Sequence, residues 1–351
     1  MATSSDCRTA FGADDLEPSR PHNQCPAKGC SATLSSAPSQ WGDMPFCSEH
    51  GIRVHWSSPT FVYYNGDDAA AKRVASLRNI RVESDFFATN IFNNPNKAES
   101  HRFASENSED ALTWNVFVGI LARRQLHKLY EWFTGEAAPF DTVKLYLWGL
   151  RVEPEMSGAP PYEHLDSVRR ALEPDITRYR TEPDAMIIGP RRLLCIEAKF
   201  TSGNPLAHDV DVEAGEKPKR REELIDRYVE RNHVWATPAI APRDIGSTVH
   251  SQLLRAAVFA ACMAQLAGTE WQVVNLVSAT QWESRRRRRV PRHEDLSDPT
   301  PSLSSPLRAH FRFDTWEALY EGVVRDDPAL ADVGDYMRRK SAFLRRAFQL
   351  A

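Results

Sequence analysis

Apolar positions along the chain recur with two different periods, and the changes of period mark out its elements. From Ser108 to Phe133 the spacing is helical: Leu112, Val116 and Ile120 recur beside Phe117 and Leu121, one stripe of a 3.6-residue repeat. Ser108 is a fitting cap, and Glu109 and Asp110 suit the positive first turn, so the pattern predicts one helix there. Leu145 to Val152 reads as a strand and His164 to Leu172 as a short helix. Two apolar runs follow, Ala185-Met186-Ile187-Ile188 and Leu193-Leu194-Cys195-Ile196. With Gly189-Pro190 between them they predict a hairpin of buried strands. A polar loop over 201–220 leads into a charged helix, Arg221 to Arg231. Val249 to Ala267 is a second strong helix stopped by Gly268, and Trp271 to Val277 is another strand. Helices near Thr315–Val324 and Val333–Leu350 complete the pattern. Upstream, Thr60 to Tyr64 is strand-like, while the rest of 56–105 shows no clear period. Hairpin, helix, strand and flanking helices together predict a mixed α/β fold.

Composition bounds this picture. A length of 351 residues allows two domains, or one large domain with a small appendage. The 42% hydrophobic and 26% charged residues are ordinary for a globular protein and exclude a rod or a wholly disordered chain. With 44 basic against 47 acidic residues, any affinity for nucleic acid must come from a local basic face. The longest mostly apolar stretch, Ala256 to Ala267, is well short of the ~20 residues that cross a bilayer, so no membrane is expected. The N-terminus lacks the basic start and apolar core of a secretory signal, and a cytoplasmic protein is expected. Residues 1–24 read as a disordered lead-in, 25–56 as a loop-rich module, and 57–351 as the main domain, with its core at about 108–280.

The hairpin carries the most chemistry. If it closes through a two-residue loop at Pro190-Arg191, residue 189 faces 192 and, counting back, Asp184 faces Glu197. Opposed residues share a face of the sheet with Cβ atoms roughly 5 Å apart, and Lys199, two residues beyond Glu197, shares it too. Two opposed carboxylates repel unless a cation lies between them. A hard divalent ion resolves this, because it takes carboxylates first and then phosphate oxygens and water, while a nearby lysine can orient water and offset phosphate charge. The plainer reading is an edge hairpin whose Asp184 caps a strand and whose Glu197–Lys199 pair is solvated. Glu197 directly follows four apolar residues, an awkward place for a surface carboxylate. Glu173-Pro174-Asp175 is a rival acidic site, but no apolar strand follows it.

Pro183-Asp184 and Glu197-Ala198-Lys199 on adjacent strands, with an acidic helix upstream and a helix downstream, resemble the PD-(D/E)xK nuclease superfamily. The resemblance implies a restriction-endonuclease-like core, a mixed sheet flanked by helices, and a metal-dependent nuclease, most readily an endonuclease acting on DNA in restriction or defence. It implies that Asp184 and Glu197 bind Mg²⁺ or Mn²⁺, that Ala198 lends its carbonyl, that Glu109 joins them, and that Lys199 serves the water. On the downstream helix Gln252, Arg255 and Phe259 share a face. The family's Gln-to-Tyr spacing meets Ala256 instead, so the RecB-like exonuclease subtype is not implied. Gln252 remains a candidate beside the carboxylates and Arg255 a candidate for phosphate, against the plainer reading of a polar helix edge. The alternative to an enzyme is a catalytically inactive nuclease-like adaptor that binds nucleic acid.

A second cluster lies near the N-terminus. Cys25 and Cys30, then Cys47 and His50, form two close pairs sixteen residues apart, the arrangement that builds a tetrahedral Zn²⁺ site from a segment without a core. Three cysteines and a histidine close the coordination sphere, so the zinc is expected to be structural. His55 is a rival fourth ligand, and free thiols are the plainer reading. Finally, Arg285, Arg286, Arg287, Arg288 and Arg289 run together and suit sequence-independent phosphate contact, or simply a solvated loop. The partner expected is DNA, with RNA as the other polymer and a homodimer as an option.

Overall fold

The computed structural model describes residues 16–17, 23–34, 47–54, 61–63, 69–81, 103–153, 160–176, 180–200, 206–207, 221–231, 240–245, 249–280, 305–343 and 348–350. The strands in chain order are β1 Arg53–Val54, β2 Phe61–Val62, β3 Lys144–Leu147, β4 Leu150–Val152, β5 Ala185–Ile188, β6 Arg192–Ala198, β7 Leu206–Ala207, β8 Val249–His250, β9 Glu270–Val277 and β10 Phe311–Thr315. The helices are α1 Ala69–Leu77, α2 Glu109–Ala122, α3 Leu126–Thr134, α4 Glu163–Leu172, α5 Arg221–Leu224, α6 Ser251–Ala267, α7 Ser305–Arg308, α8 Trp316–Leu319 and α9 Ala331–Phe343. Wider π turns extend α5 over Ile225–Glu230 and α8 over Tyr320–Val324.

The chain forms two compact units, 1–119 with 330–351, and 120–329. The second is α/β, built on a mixed six-stranded sheet in the order β10-β9-β6-β5-β3-β4. Strands β4, β3, β5 and β6 run antiparallel in turn, whereas β9 and β10 run parallel to β6. A parallel partner requires a crossover, and α6 supplies it. From Leu253 to Ala264, α6 is buried at every position but Arg255, as expected of a helix apolar nearly all round. It packs with α4 over Met186, Leu193, Cys195 and Val273 on one face of the sheet. Leu194 and Ile196, also fully buried, alternate onto the other face. Leu193, Leu194 and Ile196 each contribute roughly 1.5–3 kcal/mol by leaving water.

The observed elements differ from the sequence reading where turns lack their usual residues. One expected helix over Ser108 to Phe133 is two. Helix α2 ends with Arg124 in the left-handed region, φ 58°, as its N–H bonds Leu121 O (2.8 Å) and the Gln125 N–H bonds Ile120 O (2.9 Å). That is a Schellman stop with arginine where glycine is usual. The expected strand over Leu145 to Val152 is the hairpin β3–β4. Its turn residues Trp148 and Gly149 both have positive φ, 49° and 80°, a primed turn led by tryptophan rather than Asn or Asp. Helix α6 begins at Ser251 rather than Val249, and of the helix expected near Val333–Leu350, residues 344–347 lie outside the described residues while 348–350 are not helical. Helix α1 and strand β10 were not read from the sequence.

The first unit has a different centre. Lys340 on α9 is 1% exposed, and its ammonium donates to Asn79 Oδ1 (2.6 Å), Glu106 O (2.7 Å) and Glu106 Oε1 (2.8 Å). The Tyr63 hydroxyl donates to the other Glu106 oxygen. Asn79 in turn donates to the carbonyls of Phe103 (3.0 Å) and Ser105 (2.7 Å), so every ammonium donor is used and the pair is embedded in backbone. Removing one member of such a pair strands a charge. Lys340→Met is therefore expected to destabilise the protein by about 3–5 kcal/mol in denaturant unfolding. Adding Glu106→Gln to it should recover part of that loss.

Candidate active site and metal centre

Strands β5 and β6 pair Ala185 with Ile196, Met186 with Cys195, Ile187 with Leu194 and Ile188 with Leu193. The Gly189 N–H closes the turn on Arg192 O at 3.0 Å. Continued by one residue, this register sets Asp184 opposite Glu197, as the two-residue loop requires. The side chains do meet. Asp184 Oδ2 accepts from the Ala198 N–H at 2.9 Å, and Lys199 Nζ lies 3.8 Å from that same oxygen and donates to Glu197 Oε1 at 2.6 Å. The Glu197 and Lys199 side chains are 8% and 7% exposed, and Asp184 is 22% exposed. Two carboxylates thus share one ammonium in a place largely withdrawn from water.

The backbone around the three is held from several sides. The Lys199 N–H continues the parallel ladder to Leu276 O (2.7 Å), and the Trp316 indole N–H, at the start of α8, donates to Lys199 O (3.1 Å). The Asp184 carbonyl accepts from the Trp148 N–H in the β3–β4 turn (3.3 Å). On β9, Asn275 pairs in register with Glu197 and is fully buried, so its amide sits on the same face one strand away. The sequence reading passed over Asn275, though a lone amide inside Val273-Val274-Asn275-Leu276-Val277 is a visible signal.

Glu109 is half-buried in the first turn of α2 and belongs to the first unit. Gln252 and Arg255, both half-buried, lie in the first turns of α6. In a strand–helix–strand crossover the helix starts at the carboxyl edge of its strands, the edge that bears Glu197 and Lys199. Arg255 acts electrostatically on Tyr228, whose hydroxyl donates to the buried Glu173 carboxylate at 2.8 Å. Glu173, of the rival acidic site, also accepts from the Thr181 N–H (2.8 Å) and is spent on structure. Phe259 is fully buried and 6.3 Å from the Tyr228 ring, a core residue. Arg285 to Arg289 and His55 lie outside the described residues.

The donor set of Asp184 and Glu197 is hard oxygen chemistry and suits Mg²⁺ or Mn²⁺. Cys25, Cys30, Cys47 and His50 suit a softer ion. Their ligand atoms all lie within 4.8 Å of one another, and among the described residues they are the one group of three or more His, Cys, Asp or Glu side chains that does so. A tetrahedron with Zn–S of 2.3 Å and Zn–N of 2.0–2.1 Å has edges of about 3.8 Å between sulfurs and about 3.5 Å between sulfur and nitrogen. Cys30 Sγ to Cys47 Sγ is 3.7 Å, Cys47 Sγ to His50 Nδ1 is 3.4 Å, and Cys25 Sγ to His50 Nδ1 is 3.7 Å. The four can hold a structural metal such as zinc, with Nδ1 as the histidine donor and Glu49 Oε1 at 3.7 Å from its Nε2.

Local backbone builds this cage. The Cys30 N–H bonds Ala27 O (3.1 Å) after Gly29 at φ 75°, and the Gly51 N–H bonds Cys47 O (2.7 Å) at φ 65°. Leu16, inside the segment expected to be a lead-in, bridges to Ala27 and is 3% exposed. Burial, with the neighbouring Cys47 and Cys30, pushes the Cys25 thiol above its ordinary range, so a metal bound through Cys25 must displace its proton. Purified without chelators, the protein is expected to hold about one zinc per chain by elemental analysis. Cys25→Ser with Cys30→Ser should lose it, and apparent affinity should weaken as pH falls. Compared with family models, with curated proteins and with solved structures, the chain gives no match in any of the three.

Proposed function

We propose that the chain is a metal-dependent nuclease of the restriction-endonuclease-like, PD-(D/E)xK class, hydrolysing phosphodiester bonds of DNA. The observation that carries this reading is the meeting of Asp184, Glu197 and Lys199 on one face at the carboxyl edge of a mixed sheet. Open α/β sheets build their sites at that edge.

In this reading Asp184 and Glu197 hold Mg²⁺ or Mn²⁺. The bound ion supplies Lewis-acid stabilisation of the phosphate and a more acidic water. Asp184 is pre-aimed by its bond from the Ala198 N–H, so little reorganisation is needed when a cation enters. Lys199 offers its Nζ protons to the attacking water or to a non-bridging phosphate oxygen, and Trp316 fixes its backbone. Gln252 and Arg255 supply polar contacts to the phosphate next to the cleaved bond, and the arginines 285–289 hold the strand without reading its sequence. Restriction or defence against foreign DNA is the setting that the resemblance implies.

The second reading, an inactive nucleic-acid-binding adaptor, is favoured by one feature. At 2.6 Å the ammonium already neutralises Glu197, as a purely structural pair would.

Purified protein is expected to nick or cut supercoiled plasmid with Mg²⁺ or Mn²⁺ and to stop when EDTA is added. Asp184→Asn and Lys199→Met should each lower the rate at least about a hundredfold, with thermal midpoints checking that both variants fold. If the wild type cuts neither plasmid, linear duplex, single-stranded DNA nor RNA with either ion, the adaptor reading replaces the enzyme.

A further inference from the structure

A second concentration of charge lies in the first unit, beside the Lys340–Glu106 pair. A pocket there is lined by Arg78, Arg81, Arg339 and Lys340, by Glu106, and by Tyr63 and Tyr336. Among the described residues that line it, three guanidiniums and one ammonium accompany a single carboxylate, which Lys340 and Tyr63 hold.

Arg78 is 5% exposed. Its Nη1 donates to the carbonyls of His50 (3.0 Å) and Tyr63 (3.3 Å), so the metal loop itself fixes this guanidinium in the wall. Arg339 is half-buried and Arg81 exposed, which carries positive charge from the wall out to solvent. The Arg81 backbone is pinned as well, its N–H donating to Asn115 Oδ1 at 2.7 Å.

Tyr336 is 2% exposed, and no hydrogen bond of normal geometry reaches its buried hydroxyl oxygen. The Asn115 side chain is near enough only to lower its proton affinity, which burial raises well above the ordinary value, as it does for Tyr63. Both phenols are therefore neutral donors. A buried hydroxyl without a partner costs about 1–3 kcal/mol, and such a group calls for a ligand. The enclosed part of the pocket has room for about one water, hence for one oxygen of a larger group whose remainder stays outside.

We propose that this pocket is an oxyanion site for a phosphate group, one oxygen accepting from the Tyr336 hydroxyl and the others from Arg81 and Arg339. Planar guanidinium forks match phosphate oxygens and remain charged at any physiological pH. The phosphate can come from the end of a nucleic-acid strand or from a free anion. The proposal does not rest on the nuclease reading, because it uses neither Asp184 nor Lys199.

Calorimetric titration of the zinc-loaded protein with inorganic phosphate, at fixed ionic strength, is expected to give saturable binding. Tyr336→Phe and Arg339→Gln should each weaken it about tenfold, with zinc content and thermal midpoint retained in at least one of them. Asp184→Asn should bind phosphate like the wild type, which separates this site from the hairpin. A second arm compares one oligonucleotide with a 5′-phosphate and with a 5′-hydroxyl. A preference for the phosphate that vanishes in Tyr336→Phe assigns the site to strand ends, and equal binding of the two assigns it to the free anion. Phosphate binding that does not saturate, or is the same in wild type and both variants, overturns the proposal.

Discussion

Strand β6 is held by an antiparallel neighbour on one edge and a parallel neighbour on the other, and the placing of Glu197 and Lys199 depends on both. The β5 register sets which residue faces Asp184. A slip of one residue would turn Glu197 to the opposite face and leave Ala198 in its stead. The β9 register sets Asn275 beside Glu197, and the parallel sense of that pairing obliges the chain to return through α6, whose first turns then belong to the same edge. Apolar burial on both faces of β6 makes any slip costly. A rigid frame of this sort can hold two carboxylates and an ammonium close together, because the packing supplies the free energy that their desolvation takes up.

The first unit solves a smaller problem by other means. Beside buried apolar residues such as Phe61, Phe103 and Met337, it holds a cage of possible metal ligands and a buried polar network. Here the two are joined. Arg78 links the carbonyl of the metal ligand His50 to that of Tyr63, and Tyr63 joins the Glu106–Lys340 pair. Hydrogen bonds in such a chain polarise one another and are worth more together than singly. One run of hydrogen bonds thus joins the cysteine–histidine cage to α9.

Much of the second unit was legible in the sequence because its signals are local. Apolar runs bounded by Gly189-Pro190 gave the hairpin, and counting back from a two-residue turn gave the register. Gly268 marked the end of α6, with φ 66° and the Thr269 N–H bonded to Ala264 O. What escaped was structure made by unusual residues in ordinary roles. Arg124 stops a helix where glycine is expected, held by backbone hydrogen bonds although its side chain is exposed, and Trp148 leads a turn where Asn or Asp is expected, held by burial. Strand β10 escaped because its Phe311-Arg312-Phe313-Asp314-Thr315 is ordered by pairing with β9, Phe311 with Val273, and local spacing does not show that. At the candidate site the charged triad was legible. Asn275 stood out as a lone amide in an apolar strand, but its place beside Glu197 follows only from the parallel pairing, and nothing local ties Trp316 to Lys199.

The Lys340–Glu106 pair joins residues 234 positions apart, with the whole of the second unit threaded between them. Bringing them together closes a very long loop, whose entropic cost rises only slowly with its length. Contacts of such separation slow folding, whereas the hairpin β5–β6 closes locally. The buried ammonium therefore meets its carboxylate only when two distant stretches of chain have come together.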